Sequence, residues 1–252
     1  MTGLSFDRRA AAARALSVLG LVLLWEGAGR LAGSRLLPPA STVVAFLARE
    51  AASGALAANL GATLFRVACA FALAMLLGSL LGLAMGAWRR LDLVLDAAVT
   101  ALLAAPALVV LVLIYVWFGL SDASAIAAVA LTKLPNTAVT VREGTRALDR
   151  NLAEMARSYR VGRWATLRHV VLPQLGPYLF AAARSGLALI WKIVLVAELL
   201  GRNDGVGFQI QVYFQLFDIT GILAYTLAFI LVVQTLEWTV LQPLERRASR
   251  WR

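Results

Sequence analysis

The sequence predicts an all-α integral membrane protein of about six transmembrane helices, on three observations. Of its 252 residues, 61% are hydrophobic and only 15% are charged, against roughly 25% charged in a soluble domain. Its mean hydropathy is +0.78. Its apolar residues also fall in continuous blocks long enough for a helix to cross the hydrocarbon core, which takes about 20 residues. Barrel strands would alternate and be about 10 residues long, whereas a helix satisfies its backbone hydrogen bonds within its own segment.

Six blocks qualify. Residues 67–88, 97–121 and 219–236 carry no charge. Residues 15–33, 123–141 and 175–200 are long enough but carry a few charges. The first block, behind Arg8, Arg9 and Arg14, has the look of a signal peptide. It runs on through Trp25, Glu26 and Arg30 with no clean small-residue cleavage site, so a retained helix is expected.

The basic residues set the orientation. With an inside amino terminus, one side of the membrane holds Arg8, Arg9, Arg14, Arg89, Arg90, the arginines from Arg142 to Arg168, and Arg246, Arg247, Arg250 and Arg252. The other side keeps only Arg35, Arg49 and Arg202. The positive-inside rule then makes both termini cytoplasmic. The net charge of +10 resides in these loops, so it points to topology and to anionic lipid rather than to nucleic acid.

The expected organisation is a basic amino terminus at 1–14, a first span at 15–33, an external loop at 34–59, a transmembrane domain at 60–244 and a basic tail at 245–252. Within the external loop, Pro38-Pro39 precede an amphipathic stretch, with Ser41-Thr42 as a helix start. The short turn at 119–122 makes the third and fourth spans an antiparallel pair. Residues 201–221 form an outer loop rich in Gly and aromatics.

Chemistry-bearing residues are sparse. Cys69 and His169 are each the only one of their type, and neither a Gly-rich loop ending in Lys-Ser/Thr nor a metal-ligand spacing occurs. A cofactor-free chain is expected, and any ATP that drives it must bind elsewhere. Inside the spans, Lys133 and Lys192 stand out. An intramembrane cation is a candidate pathway residue, suited to an anionic solute, or else half of a structural ion pair with Glu26, Glu198 or Glu237. Lys192 has snorkelling as a further explanation. Lys133 lies near mid-bilayer with Thr132, Pro135 and Asn136 beside it. Candidate pathway residues are therefore Lys133, Asn136, Lys192 and Glu198. Glu26 and Arg30, at i and i+4, read as a local ion pair. Gly78, Gly82 and Gly86 form a GxxxGxxxG face that permits close helix approach.

The longest inward-facing connection, 142–172, holds the strongest signal. Helix formers surround Leu152–Tyr159, a turn falls near 160–163, and Trp164–Val171 suits a second short helix before Pro173. Topology alone needs only a few arginines there. Leu152, Met155, Trp164, Leu167 and Val170 offer an apolar side for another surface.

These residues resemble the EAA loop of permeases from binding-protein-dependent ATP-binding-cassette importers. Glu154, Ala156, Val170, Leu172 and Pro173 match its Glu-Ala-Ala…aliphatic-Leu-Pro pattern. Met155 replaces an Ala, and Arg160 stands where the family has Gly; Gly162 is the expected source of the turn instead. Trp25-Glu26, Trp117-Phe118-Gly119 after Pro106, Ala197-Glu198 and the run from Asp149 to Tyr159 resemble the nitrate/sulfonate/taurine-type subgroup.

The resemblance implies a type I (MetI-like) importer fold. The EAA-like loop, 150–173, would be a cytoplasmic coupling helix between spans four and five, with Glu154, Met155, Ala156, Arg157, Tyr159, Arg160, Gly162, Val170, Leu172 and Pro173 meeting an ATPase. It further implies a homodimer on two ATP-binding subunits that hold ATP and Mg, an extracytoplasmic binding protein that delivers solute, a bacterial inner membrane, and no bond chemistry in this chain. A secondary transporter or channel is the alternative reading. Such proteins show repeats and broken helices at the site, and no internal repeat is evident. A membrane enzyme would need convergent His, Asp, Glu or Cys. The solute is not legible.

Overall fold

The computed structural model describes residues 3–241. The tail expected at 245–252 lies outside the described residues, as do the side chains of Arg8, Arg9 and Arg14.

Helices account for almost all of the described residues, with no strand among them. In chain order they are α1 (Gly3–Ala32), α2 (Ala40–Ala52), α3 (Ala55–Ala87), α4 (Arg89–Ala104), α5 (Ala107–Phe118), α6 (Asp122–Arg146), α7 (Arg150–Ser158), α8 (Arg163–Thr166), α9 (Leu172–Gly201), α10 (Val206–Gln215) and α11 (Ile219–Leu236). A π turn at Leu167–Val171 joins α8 to α9, and a second follows α11 at Glu237–Leu241.

Among the described residues, four helices are long and apolar enough to cross a membrane: Ala55–Ala87, Asp122–Arg146, Arg163–Gly201 and Ile219–Thr239. A fifth arises if α4 and α5 count as one span. The expected third span, 97–121, is therefore not one straight helix. Its chain bends by 100° between α4 and α5, because Pro106 has no amide to continue the ladder and pushes Ala105 into the extended region, φ −68° and ψ 128°. The first expected span falls within α1, whose Leu16, Leu19 and Leu23 are exposed.

α3 and α6 form the centre. The glycine face of α3 explains how closely they pack. A Cβ on Gly78 would stand 2.8 Å from the Leu134 carbonyl oxygen, one on Gly82 2.4 Å from that of Ala138, and one on Gly86 2.5 Å from Thr145 Cβ. α9 lies against α6, and Gly144 meets the Tyr178 ring where the two helices cross. Val67, Ala70 and Ala74 of α3, Leu111 of α5, Val129 of α6 and Ile190 of α9 share one buried cluster.

The stretch at 34–59, expected as an external loop, contains the expected amphipathic helix as α2, but its capping differs. Ser41 does not cap its own helix; the Glu26 carboxylate of α1 accepts from the Ser41 amide and hydroxyl, both at 2.9 Å. Glu26 also pairs with Arg30 at 2.7 Å, as its spacing predicts. Trp25 Nε1 donates to the Pro38 carbonyl, fastening α1 to α2. On its other side α2 packs on α11, where the Tyr225 hydroxyl donates to Glu50 at 2.7 Å. The loop expected at 201–221 holds α10, a short helix set between α9 and α11.

Candidate functional site

Three features concentrate charge or exposed apolar surface: the loop after α6, a polar network at the far end of the bundle, and a buried lysine between them.

The loop begins with a capped helix. Asp149 accepts from the Asn151 amide at 2.8 Å, while its own amide donates to Gln174 Oε1 at 2.9 Å. The α7 cap is thereby pinned to the base of α9. Gln174 Nε2 also donates to the Val170 carbonyl at 2.9 Å. Ala156 turns inward and is buried. Met155 is 50% exposed, Tyr159 80% and Trp164 72%, and Glu154 and Arg157 are exposed with them. The nine-residue helix, its C-cap Tyr159 and the start of α8 thus present methionine, aromatic and charged side chains outward together.

The turn comes from a different residue than its sequence suggests. Arg160 adopts φ +50°, the left-handed conformation that glycine enters most readily. The Val161 amide donates to Ala156 O at 2.8 Å and the Arg160 amide to Arg157 O at 3.0 Å, which is a Schellman end to α7. Gly162 has φ −59° and merely precedes α8. The arginine at the family's glycine position thus takes up the glycine conformation itself, at a cost of about 1 kcal/mol.

The second short helix expected at 164–171 is not separate. α8, the π turn and α9 run as one 39-residue helix, Arg163–Gly201. Pro173 lies in the first turn of α9 without breaking it. The π turn accommodates it: the Leu172 amide reaches back five residues to Leu167 O. Val170 is half-buried, and Leu172 and Pro173 are exposed beside α7.

At the opposite end, Glu198 of α9 is fully buried. Its Oε1 accepts from Arg66 Nη1 at 2.7 Å, and its Oε2 accepts from Thr63 Oγ1 and from the Gly207 amide, each at 2.9 Å. Arg66, itself 2% exposed, also donates from Nε to Asp122 at 2.6 Å and from Nη2 to the Asp204 carboxylate. Asn59 Oδ1 and Thr63 Oγ1 accept from the amides of Gly205 and Val206. Four elements meet here: α3, the start of α6, the end of α9 and the start of α10. Gly205, at φ +104°, and Gly207 permit the approach; a Cβ on Gly205 would lie 2.4 Å from Glu198 Cδ. Glu198 was expected on the pathway, but both its oxygens are committed to this network. Sequence reasoning missed Arg66, just before the charge-free block at 67–88. The Gly-Val-Gly after Asp204 was the available signal for it.

Lys133 is the contrast. It is 1% exposed, and its Nζ donates to Asn136 Oδ1 at 2.6 Å and Ser185 Oγ at 3.2 Å. Among the described residues no carboxylate pairs with it, so the expected ion pair with Glu26, Glu198 or Glu237 is not formed: Glu26 is bound to Arg30 and Glu198 to Arg66. Lys192 is exposed on α9. The structure brings Lys133 and Asn136 together, and neither Lys192 nor Glu198 joins them.

Comparison with known proteins adds the family. Residues 74–239 match the model of the binding-protein-dependent transport system inner membrane component. A Bacillus subtilis protein described as an aliphatic sulfonates transport permease, SsuC, is 30% identical over 92% of this chain and 84% of its own length. The taurine transport system permease TauC of Escherichia coli is 28% identical over 77% of this chain and 70% of its own. The bicarbonate transport system permease CmpB of Synechococcus elongatus is 27% identical over 77% and 73%. Permeases of this family work with an ATPase and a substrate-binding protein. The helical bundle, the exposed amphipathic helix after α6 and the family match agree: this chain belongs to the binding-protein-dependent transport system inner membrane components, as the permease subunit of an ATP-binding-cassette importer and not an enzyme.

Proposed function

We propose that this permease works as a homodimer, in a bacterial inner membrane, on two ATP-binding subunits that hold the ATP and Mg, and that it carries a small anion such as a sulfonate, taurine, nitrate or bicarbonate. Six spans with both termini cytoplasmic fit the arginine distribution. They also fit α1 as a sixth membrane helix beside the four long helices and the bent α4–α5 pair. The transmembrane domain is 60–244, and the loop at 150–173 is the coupling element. The observation that carries the coupling role is the outward face of α7, where Glu154, Met155, Arg157 and Tyr159 are exposed. An amphipathic helix laid into a groove is a common docking mode, and here the groove would belong to the ATPase. The anionic solute is supported by the relatives' named solutes, sulfonates, taurine and bicarbonate, and by a buried lysine with no carboxylate on it. Lys133 and Asn136 line the pathway in this reading.

Glu154→Lys tests it. Reversing this exposed charge leaves the fold intact, so the chain should still insert and purify. Stimulation of the partner ATPase by the binding protein should disappear. Full stimulation in that variant would remove the loop from the coupling role.

A further inference from the structure

We propose that Lys133, Asn136 and Ser185 form an anion-contact site at the crossing of α6 and α9, specific for the oxyanion head of the solute. The inference rests on the anionic-solute reading above and names the residues that would receive the charge.

The geometry has three parts. Lys133 stands about 16 Å along α6 from Asp122, near the middle of the span, too deep for a headgroup phosphate to reach. Burying a charge there costs several kcal/mol unless something pairs it, and its two neighbours are neutral oxygens. Gly186 makes the room: a Cβ there would lie 2.8 Å from Lys133 Cε.

The second part is the set of donors. Asn136 turns Oδ1 toward Nζ at 2.6 Å, which leaves its Nδ2 hydrogens, without a partner among the described residues, to donate elsewhere. An ammonium and an amide NH₂ side by side, with no carboxylate on them, suit an acceptor with several oxygens on one centre, such as a sulfonate, carboxylate, nitrate or bicarbonate.

The third part is access. Ser185 is exposed, so Nζ lies one hydroxyl beneath an open face of α9. That face carries Ala181, Ala188 and Lys192, also exposed, at helical spacing from Ser185. Small residues there leave space for a solute, and Lys192 adds a second cation two turns away.

The test uses the complete transporter in proteoliposomes, with its binding protein outside and ATP inside. The probes are radiolabelled methanesulfonate, taurine, nitrate and bicarbonate. Lys133→Met and Ser185→Asp should each cut uptake of the transported probe by about tenfold or more, as loss of a buried charge partner does. Lys133→Arg should keep a measurable part of it. Ser185→Asp has a second readout. Its carboxylate would occupy Nζ in place of the anion, so the thermal midpoint of the complex should rise while uptake falls. If that variant fails to assemble, Ser185→Ala at the same exposed position should still weaken uptake. A wild type that carries one of the probes, with Ser185→Ala and Lys133→Met carrying it equally well, overturns the site and leaves the anionic reading standing. A wild type that carries none of the four overturns both.

Discussion

The bundle buries charge in two places and treats it in opposite ways. At the end where α3, α6, α9 and α10 meet, Glu198 and Arg66 are buried, with both carboxylate oxygens and all three guanidinium nitrogens hydrogen-bonded. At the α6–α9 crossing, Lys133 is equally buried and has only two neutral acceptors. A buried ion pair seldom stabilises a fold relative to apolar packing, but removing one partner strands the other at a large cost. The first cluster is thus a joint that the fold depends on. The second is a charge that the fold carries without using.

The largest effect should come from breaking the joint. Arg66→Leu leaves Glu198 buried and ionisable without its cation and frees Asp122 and Asp204 from their shared donor. Loss of one partner of a buried pair costs about 3–5 kcal/mol. The yield of monodisperse complex after detergent extraction should collapse; an unchanged yield would show that the joint is dispensable.

A smaller effect should follow from Gly205→Ala. Its φ of +104° and a Cβ 2.4 Å from Glu198 Cδ force the start of α10 off the carboxylate. Strain of this kind costs about 1–3 kcal/mol. The complex should assemble with a lowered thermal midpoint, and proteolysis should open first around α10. A midpoint equal to wild type would mean that the three amides at 205–207 do not hold that helix.

The two regions were not equally legible. Lys133 could be singled out from sequence because a lone cation in an apolar block is conspicuous, and helical rise alone sets its depth. The joint was hidden because Arg66 sits at a span edge, where an arginine has an ordinary topological explanation. Its partners Asp122, Glu198 and Asp204 are distant in sequence and meet only through tertiary packing. The break at Pro106 was present in the sequence, yet the apolar run around it masked it; hydropathy sees composition and not the missing amide. The helix and turn of the loop at 150–173 were expected from pattern, but the residue that makes the turn was not legible. Glycine chemistry pointed to Gly162, while the hydrogen bonds that end α7 placed the left-handed residue at Arg160. The π turn that carries the helix through Pro173 had no sequence signal.

The contrast between the two buried charges is tested most directly by the thermal unfolding midpoint of the assembled complex carrying Lys133→Met. Replacing an unpaired buried charge with an apolar side chain of similar length removes a desolvation cost and breaks no ion pair. A midpoint equal to or above that of wild type is expected. A fall like that expected for Arg66→Leu would contradict it, and would make Lys133 part of what holds the bundle together.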